Sequence, residues 1–177
     1  MNVQTRMPLL APYPELGEAP IPVEPYLSQE YYEAELNKIF RQDWLVVGRE
    51  EEIANPGDYK VKKLDFARTS VILIRGKDGK IGAFHNVCRH RGNKVISETG
   101  GEETFGNNKA AVVTCRFHGW VYNAKGELVD VPMQEKFPSC FNRAENGLVP
   151  IHVGSWAGFV FVNLAKTPSK TLDEFLG

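Results

Sequence analysis

Two short segments hold the residue types that bind soft metals: NVCRHRGN, with Cys88 and His90, and TCRFHGWVY, with Cys115 and His118. Together they read C-x-H followed by C-x-x-H, a set of two thiols and two imidazoles. Each segment ends a run of strand character and passes into a glycine, Gly92 or Gly119, which suits two loop tips brought face to face. Alone, Cys88 or His118 would read as a buried small side chain or a satisfied polar group. Two matched pairs read as a four-ligand metal site. Tetrahedral zinc on two Cys and two His is the competing chemistry, but its paired ligands usually stand roughly two to four residues apart, and C-x-H is short for that. A two-iron, two-sulfide centre, with both thiolates on one iron and both imidazoles on the other, needs each loop to offer one ligand to each metal. Closely spaced Cys and His suit that division. Neutral imidazoles in place of thiolates raise the reduction potential, so the chemistry expected is one-electron transfer.

Elements able to carry the loops lie on both sides of them. From Asn55 onward come short β-branched and aromatic runs, DYKVKKL, TSVILIR, KIGAFHN, AAVVTC, GWVYNA, ELVDVP, LVPIHV and AGFVFVN, which predict an antiparallel β domain. Gly76-Lys77-Asp78-Gly79 and Asn123-Ala124-Lys125-Gly126 supply hairpin turns. Residues 98–109, ETGGEETFGNNK, are polar and rich in Gly and Asn and read as an exposed loop. Upstream, SQEYYEAELNKIFRQDW sets Tyr32, Leu36, Ile39 and Phe40 at helical spacing behind Ser28 as N-cap, predicting one amphipathic helix over 28–44. Residues 1–27 are rich in proline and lack an apolar period, so an extended arm is expected. The β domain is assigned to 45–165. AKTPSKTLDEFLG then leaves the β pattern through Pro168 and begins a helical turn, reading as the start of a linker over 166–177.

A chain of 177 residues with 42% hydrophobic side chains has material for one ordinary core. The formal net charge of −1 gives no footprint for nucleic acid or an anionic membrane. The N-terminal MNVQTRMPLLAPYPELGEAPIP has neither the charged start nor the apolar centre of a signal peptide, and no apolar run approaches the roughly 20 residues that span a bilayer. A soluble, cytoplasmic protein is expected. In that compartment three cysteines suit metal or redox chemistry better than disulfides.

NVCRHRG and CRFHGWVYNAKGEL are very close to the two cluster motifs of the Rieske non-haem iron oxygenases, the aromatic-ring-hydroxylating oxygenase α subunits, and the chain resembles the Rieske domain of that family. The likeness extends through EYYEAELNKIFRQDW, the NPGDY turn at Asn55–Tyr59 and WAGFVFVNLA at Trp156–Ala165, covering roughly residues 26–177. It implies an all-β, mainly antiparallel Rieske [2Fe–2S] fold with a small cluster-binding subdomain, plus the N-terminal helix. It further implies Cys88 and Cys115 on a buried iron, His90 and His118 on an outer one, and proton-linked reduction with electron exit through the two histidines. Trp120 and Tyr122, and the backbone N–H groups of Arg91, Gly92 and Gly119, are candidates to bond cluster sulfurs and tune the potential; Trp120 reads equally as packing. The implied donor is a ferredoxin or reductase, and the implied acceptor a mononuclear iron catalytic domain.

There is one departure from the family: 24 residues separate His90 from Cys115, more than is usual. The insertion is expected in the 98–109 loop, where it would alter the surface on which a donor docks. Arg89, Arg91 and Arg116 suggest a basic rim there. Cys140 has no ligand pattern and reads as a buried or half-buried structural thiol; His85 and His152 also read as structural. The family's catalytic domain holds its iron on two His and one Asp. Four histidines in all, and no D-x-x-H-x-x-x-x-H pattern, leave no such site here, so this chain alone is not expected to hydroxylate a substrate. Three readings stand: the electron-relay part of an oxygenase α subunit, which the half-made helix at the end of the chain favours; a free-standing Rieske ferredoxin-like carrier; and a zinc or metal-free binding module.

Overall fold

TSVILIR shows no alternation of apolar and polar residues, and its position in the computed structural model, which describes residues 20–98, 101 and 103–177, explains why. It forms the central strand of a middle sheet that is buried on both faces. The described strands are β1 (Trp44–Arg49), β2 (Asp58–Leu64), β3 (Thr69–Arg75), β4 (Ile81–His85), β5 (Glu103–Asn107), β6 (Val112–Thr114), β7 (Val121–Asn123), β8 (Leu128–Asp130), β9 (His152–Trp156) and β10 (Phe159–Asn163). They pair antiparallel into three sheets ordered β1-β10-β9, β4-β3-β2-β5 and β6-β7-β8. Val71 and Leu73 of β3 point into one apolar core with Val47, Ile53, Val160 and Val162. Ile72 and Ile74, on its other face, join a second core with Val113, Trp120, Tyr122, Leu128 and both Cys88 and Cys115. The small third sheet and its loops are thus the cluster-binding subdomain expected of the fold, and the mainly antiparallel β class holds.

Both glycine-bearing connections form as read: Gly76–Gly79 joins β3 to β4, and Asn123–Gly126 joins β7 to β8. The helical segment starts as expected and differs at its C-terminal end. Ser28 does cap α2 (Gln29–Glu35), its hydroxyl accepting from the Tyr31 N–H at 3.2 Å. The helix then widens into a π-helical turn over Leu36–Phe40, and β1 begins at Trp44. The helix is therefore shorter than 28–44, and Phe40, at the end of the π-helical turn, meets the Phe66 ring 5.5 Å away. The extended-arm reading lies mostly outside the described residues. Its described end is corrected: Glu24–Leu27 form a short helix, α1, started by Pro25 in its first turn. At the other end Thr171 closes a capping box on α3 (Leu172–Leu176). Leu172 packs so closely on Gly154 that a Cβ there would stand 2.7 Å from its Cδ2, so 166–177 folds back on the first sheet.

The 98–109 loop is also corrected, since half of it is β5, the edge strand beside β2. Ion pairs across the strands hold it: Glu103 lies 3.1 Å from both Lys60 and Lys62, and Asn107 donates to Asp58 at 2.6 Å. Gly106 lies flat against the Tyr59 ring, where any Cβ would come within 2.2 Å of the phenol oxygen. Among the described residues no helix is long and apolar enough to cross a membrane.

Candidate metal centre

The two ligand segments fold on one plan. The Cys88 N–H donates to the Asn93 carbonyl at 2.8 Å while the Cys88 carbonyl accepts from the Gly92 N–H at 3.0 Å. The Cys115 N–H donates to the Trp120 carbonyl at 2.8 Å while the Cys115 carbonyl accepts from the Gly119 N–H at 2.8 Å. Gly92 and Gly119 close these turns at φ of 73° and 74°, the left-handed region that glycine enters without penalty. Each of these two N–H groups is thus engaged by its own cysteine's carbonyl.

The turns bring all four sequence-predicted ligands together, with thiols inside and imidazoles outside. Cys88 and Cys115 are 2% and 1% exposed, whereas His90 is half-buried and His118 exposed. The two imidazole centres are 4.5 Å apart at 71°. Trp120 lies under His90, with Phe137 and Phe141 packed behind it. The exposed Phe117 ring leans on His118 at 4.0 Å. Arg91 is exposed, and its charge reaches His90: burial first, then His118 and Arg91, hold that imidazole below its ordinary 6.5. All three disfavour the imidazolium, and it is the neutral imidazole that binds metal.

The Tyr122 hydroxyl, fully buried, stands 3.2 Å from Cys88 Sγ and accepts the Arg89 N–H at 3.1 Å. Either group can donate in that contact, but a metal-bound thiolate has no proton, so with Cys88 as a ligand the phenol would be the donor. Burial raises the Cys88 thiol above its ordinary 9.0, while Tyr122 and the His90 backbone N–H act in the opposite direction.

This donor set fits a two-iron cluster on two counts. His90 Nδ1 is buried yet has no hydrogen-bond partner, a state that costs about 1–3 kcal/mol unless another acceptor of its lone pair is bound there. Second, the two thiols are buried and the two imidazoles lie outward of them, a segregation that suits ligands divided two and two between irons.

The remaining candidates lie elsewhere. His85 is half-buried with Nδ1 3.3 Å from the Thr69 hydroxyl, and His152 is exposed with Nε2 3.2 Å from the Lys166 carbonyl. Cys140 is exposed, which corrects its reading as a buried thiol: it sits in the surface turn between Pro138 and Phe141. The His90 N–H, Phe137 and Phe141 are contributors that sequence reasoning missed. The aromatic spacing in KFPSCF was the available signal for the last two.

Sheets that bury paired thiols under paired surface imidazoles define an iron–sulfur electron-transfer domain. The chain belongs to the Rieske [2Fe–2S] domain family, which matches residues 43–149, and its cofactor is accordingly a [2Fe–2S] cluster of the Rieske type. Its relatives are oxygenase subunits. It is 35% identical over 153 residues to the chlorobenzene dioxygenase α subunit of Cupriavidus sp. (strain PS12), covering 86% of this chain and 32% of that one. It is 35% identical over 152 residues to the glycine betaine monooxygenase oxygenase subunit of Pseudomonas aeruginosa, covering 85% and 32%. Among solved structures it matches a quaternary ammonium Rieske monooxygenase, one described for carnitine oxidation and inter-subunit electron transfer, with a TM-score of 0.73 at 32% identity, covering 86% of this chain and 39% of that one. The chain spans about a third of the length of the curated relatives it matches.

Proposed function

We propose that Cys88, His90, Cys115 and His118 hold the [2Fe–2S] cluster and that the chain is the electron-relay part of a Rieske oxygenase α subunit. It takes single electrons from a ferredoxin or reductase and passes them to a mononuclear iron catalytic domain. The observation that carries this reading is the polarity of the site, buried thiols beneath outward imidazoles, together with the orphaned Nδ1 of His90.

When bound, the cluster supplies reversible one-electron exchange. The chain's own residues do the rest. Trp120, Phe137 and Phe141 exclude water from one side of His90, Tyr122 hydrogen-bonds Cys88 Sγ, and His118 reaches solvent as the exit. The exit is flanked by the exposed Arg89, Arg91 and Arg116, which favour an acidic partner surface. The acceptor class is drawn as Rieske oxygenase in general, not aromatic-ring hydroxylase in particular, because the relatives include both a chlorobenzene dioxygenase and a glycine betaine monooxygenase. Work in the cytoplasm, where thiols stay reduced, is part of the same reading.

An anaerobic redox titration tests the relay role. One reversible wave following a one-electron slope, about 59 mV per tenfold change in ratio, is expected, and stoichiometric re-oxidation by a one-electron acceptor should follow. A chain that takes up no electron would overturn it.

A further inference from the structure

We propose that Asn86 is a positioning residue for the metal centre, its side-chain carboxamide closing the base of the first ligand loop as a β-ladder closes the second. The inference rests on the reading of Cys88 and His90 as ligands.

The second loop needs no special closure. It lies between β6 and β7, whose pairs Val113↔Tyr122 and Thr114↔Val121 fix its ends. The first loop has no such frame, because β4 ends at His85 and no strand follows through residue 98. Asn86 stands two residues before Cys88, as Val113 stands two before Cys115. Its Oδ1 accepts the Ile96 N–H at 3.0 Å and its Nδ2 donates to the Ile96 carbonyl at 2.9 Å. One side chain thus takes both backbone groups of one residue, the two bonds that a hydrogen-bonded pair exchanges in an antiparallel ladder.

The clasp is itself anchored. The second Nδ2 hydrogen goes to Ser70 Oγ at 3.2 Å, and the Asn86 backbone N–H to the Ser70 carbonyl at 2.9 Å. Both amide hydrogens are therefore satisfied, and Asn86 is 1% exposed. Ser70 belongs to β3, in the middle sheet, so the loop base is tied to the most buried strand of the fold. Within the closed loop Val95 enters the same core as Cys88 and Cys115. Asn86 thereby sets where the Cys88 turn stands relative to the Cys115 turn. Aspartate has nearly the same shape but, ionised, offers no donor to the Ile96 carbonyl; leucine keeps the volume and makes none of the bonds.

The test uses the iron-loaded full chain carrying Asn86→Leu, Asn86→Asp or Ser70→Ala. Amide hydrogen exchange over 87–96 should rise in both Asn86 variants while exchange over 114–121 stays at the wild-type level. Iron release to a chelator should quicken about tenfold or more, the effect of unpairing buried polar groups, with Ser70→Ala changed less and in the same direction. The spread of g values in the reduced EPR spectrum should also shift, which loss of general stability would not produce. If Asn86→Leu does not fold, the ranking of Asn86→Asp above Ser70→Ala decides. Wild-type exchange, iron release and g values in Asn86→Asp would overturn the proposal, as would equal loosening of both loops with unchanged g values. A wild-type protein without a Rieske signal would sink the ligand reading instead, and loop exchange would still report on the clasp.

Discussion

The imidazole of His90 lies flat on the indole of Trp120, 4.8 Å between ring centres and 11° from parallel. Trp120 is 3% exposed and is backed by Phe141 at 5.7 Å and Phe137 at 6.1 Å. The plate therefore both fills the core and sets the plane of the ring above it. Trp120→Ala should lower unfolding stability by about 3–5 kcal/mol, the usual cost of emptying a large aromatic site. Trp120→Phe, which keeps an aromatic face, should lose about half of that or less. Urea unfolding of the iron-loaded chain measures both, and equal losses would contradict the role given to the aromatic face.

Against a Cys88 thiolate, which has no proton, Tyr122 is the donor of the 3.2 Å bond to Sγ. Burial first, and then Cys88, push its phenol above the ordinary 10.0, so it stays a donor at every pH of interest. Reduction would make the cluster as a whole more negative, and a hydrogen bond to a ligand sulfur would favour that state over the oxidised one. Tyr122→Phe should lower the midpoint potential by about 40–60 mV, equivalent to one ordinary hydrogen bond. Redox titration of the variant decides, and an unchanged midpoint would mean that the bond is not felt by the cluster.

Lys60 is the buried cation of the fold's edge, 2% exposed between Glu52 at 2.8 Å and Glu103 at 3.1 Å. Lys60→Ala removes both bonds and the buried stem, but Glu52 and Glu103 reach solvent and Glu103 keeps Lys62, so the cost should be about 1–3 kcal/mol. The exposed Arg49–Glu51 pair at 2.6 Å makes the comparison: Arg49→Ala should cost clearly less than Lys60→Ala. Chemical denaturation of the two variants side by side tests the ranking.

Asp58 ties β5 to β2. The Asn107 side chain and then the Asn55 N–H hold its carboxyl below the ordinary 3.8, with burial opposing. Because the folded value is the lower one, this contribution is complete above pH 3.8 and is lost as pH falls through the folded value. Amide exchange in β5 should therefore rise as the solution is acidified below that point, and in Asp58→Asn this acid-dependent rise should be absent. A rise of the same size in the variant would assign the effect to other carboxylates.

The four proposed ligands are legible in the sequence because metal ligation demands particular residue types at a tight spacing, and Gly92 and Gly119 announce the turns that carry them. The hairpins at Gly76–Gly79 and Asn123–Gly126 are legible for a similar local reason. β5 is not, because it is held by Lys60 and Lys62 from a distant strand while its own composition, with Gly106 and Asn107, reads as loop. The thiol of Cys140 is apolar enough to suggest burial, but a surface turn sets its exposure. Asn86 is the least legible of all: an asparagine between His85 and Val87 reads as a turn residue, and only the fold supplies Ile96 and Ser70 as its partners.

The assignment of Cys88, His90, Cys115 and His118 to a Rieske cluster is tested most directly by the EPR spectrum of the dithionite-reduced protein. The expected result is a rhombic [2Fe–2S] signal with an average g value below that of an all-cysteine cluster, abolished in His90→Ala and in His118→Ala. A colourless, EPR-silent protein that contains zinc, or a signal that survives both substitutions, would contradict it.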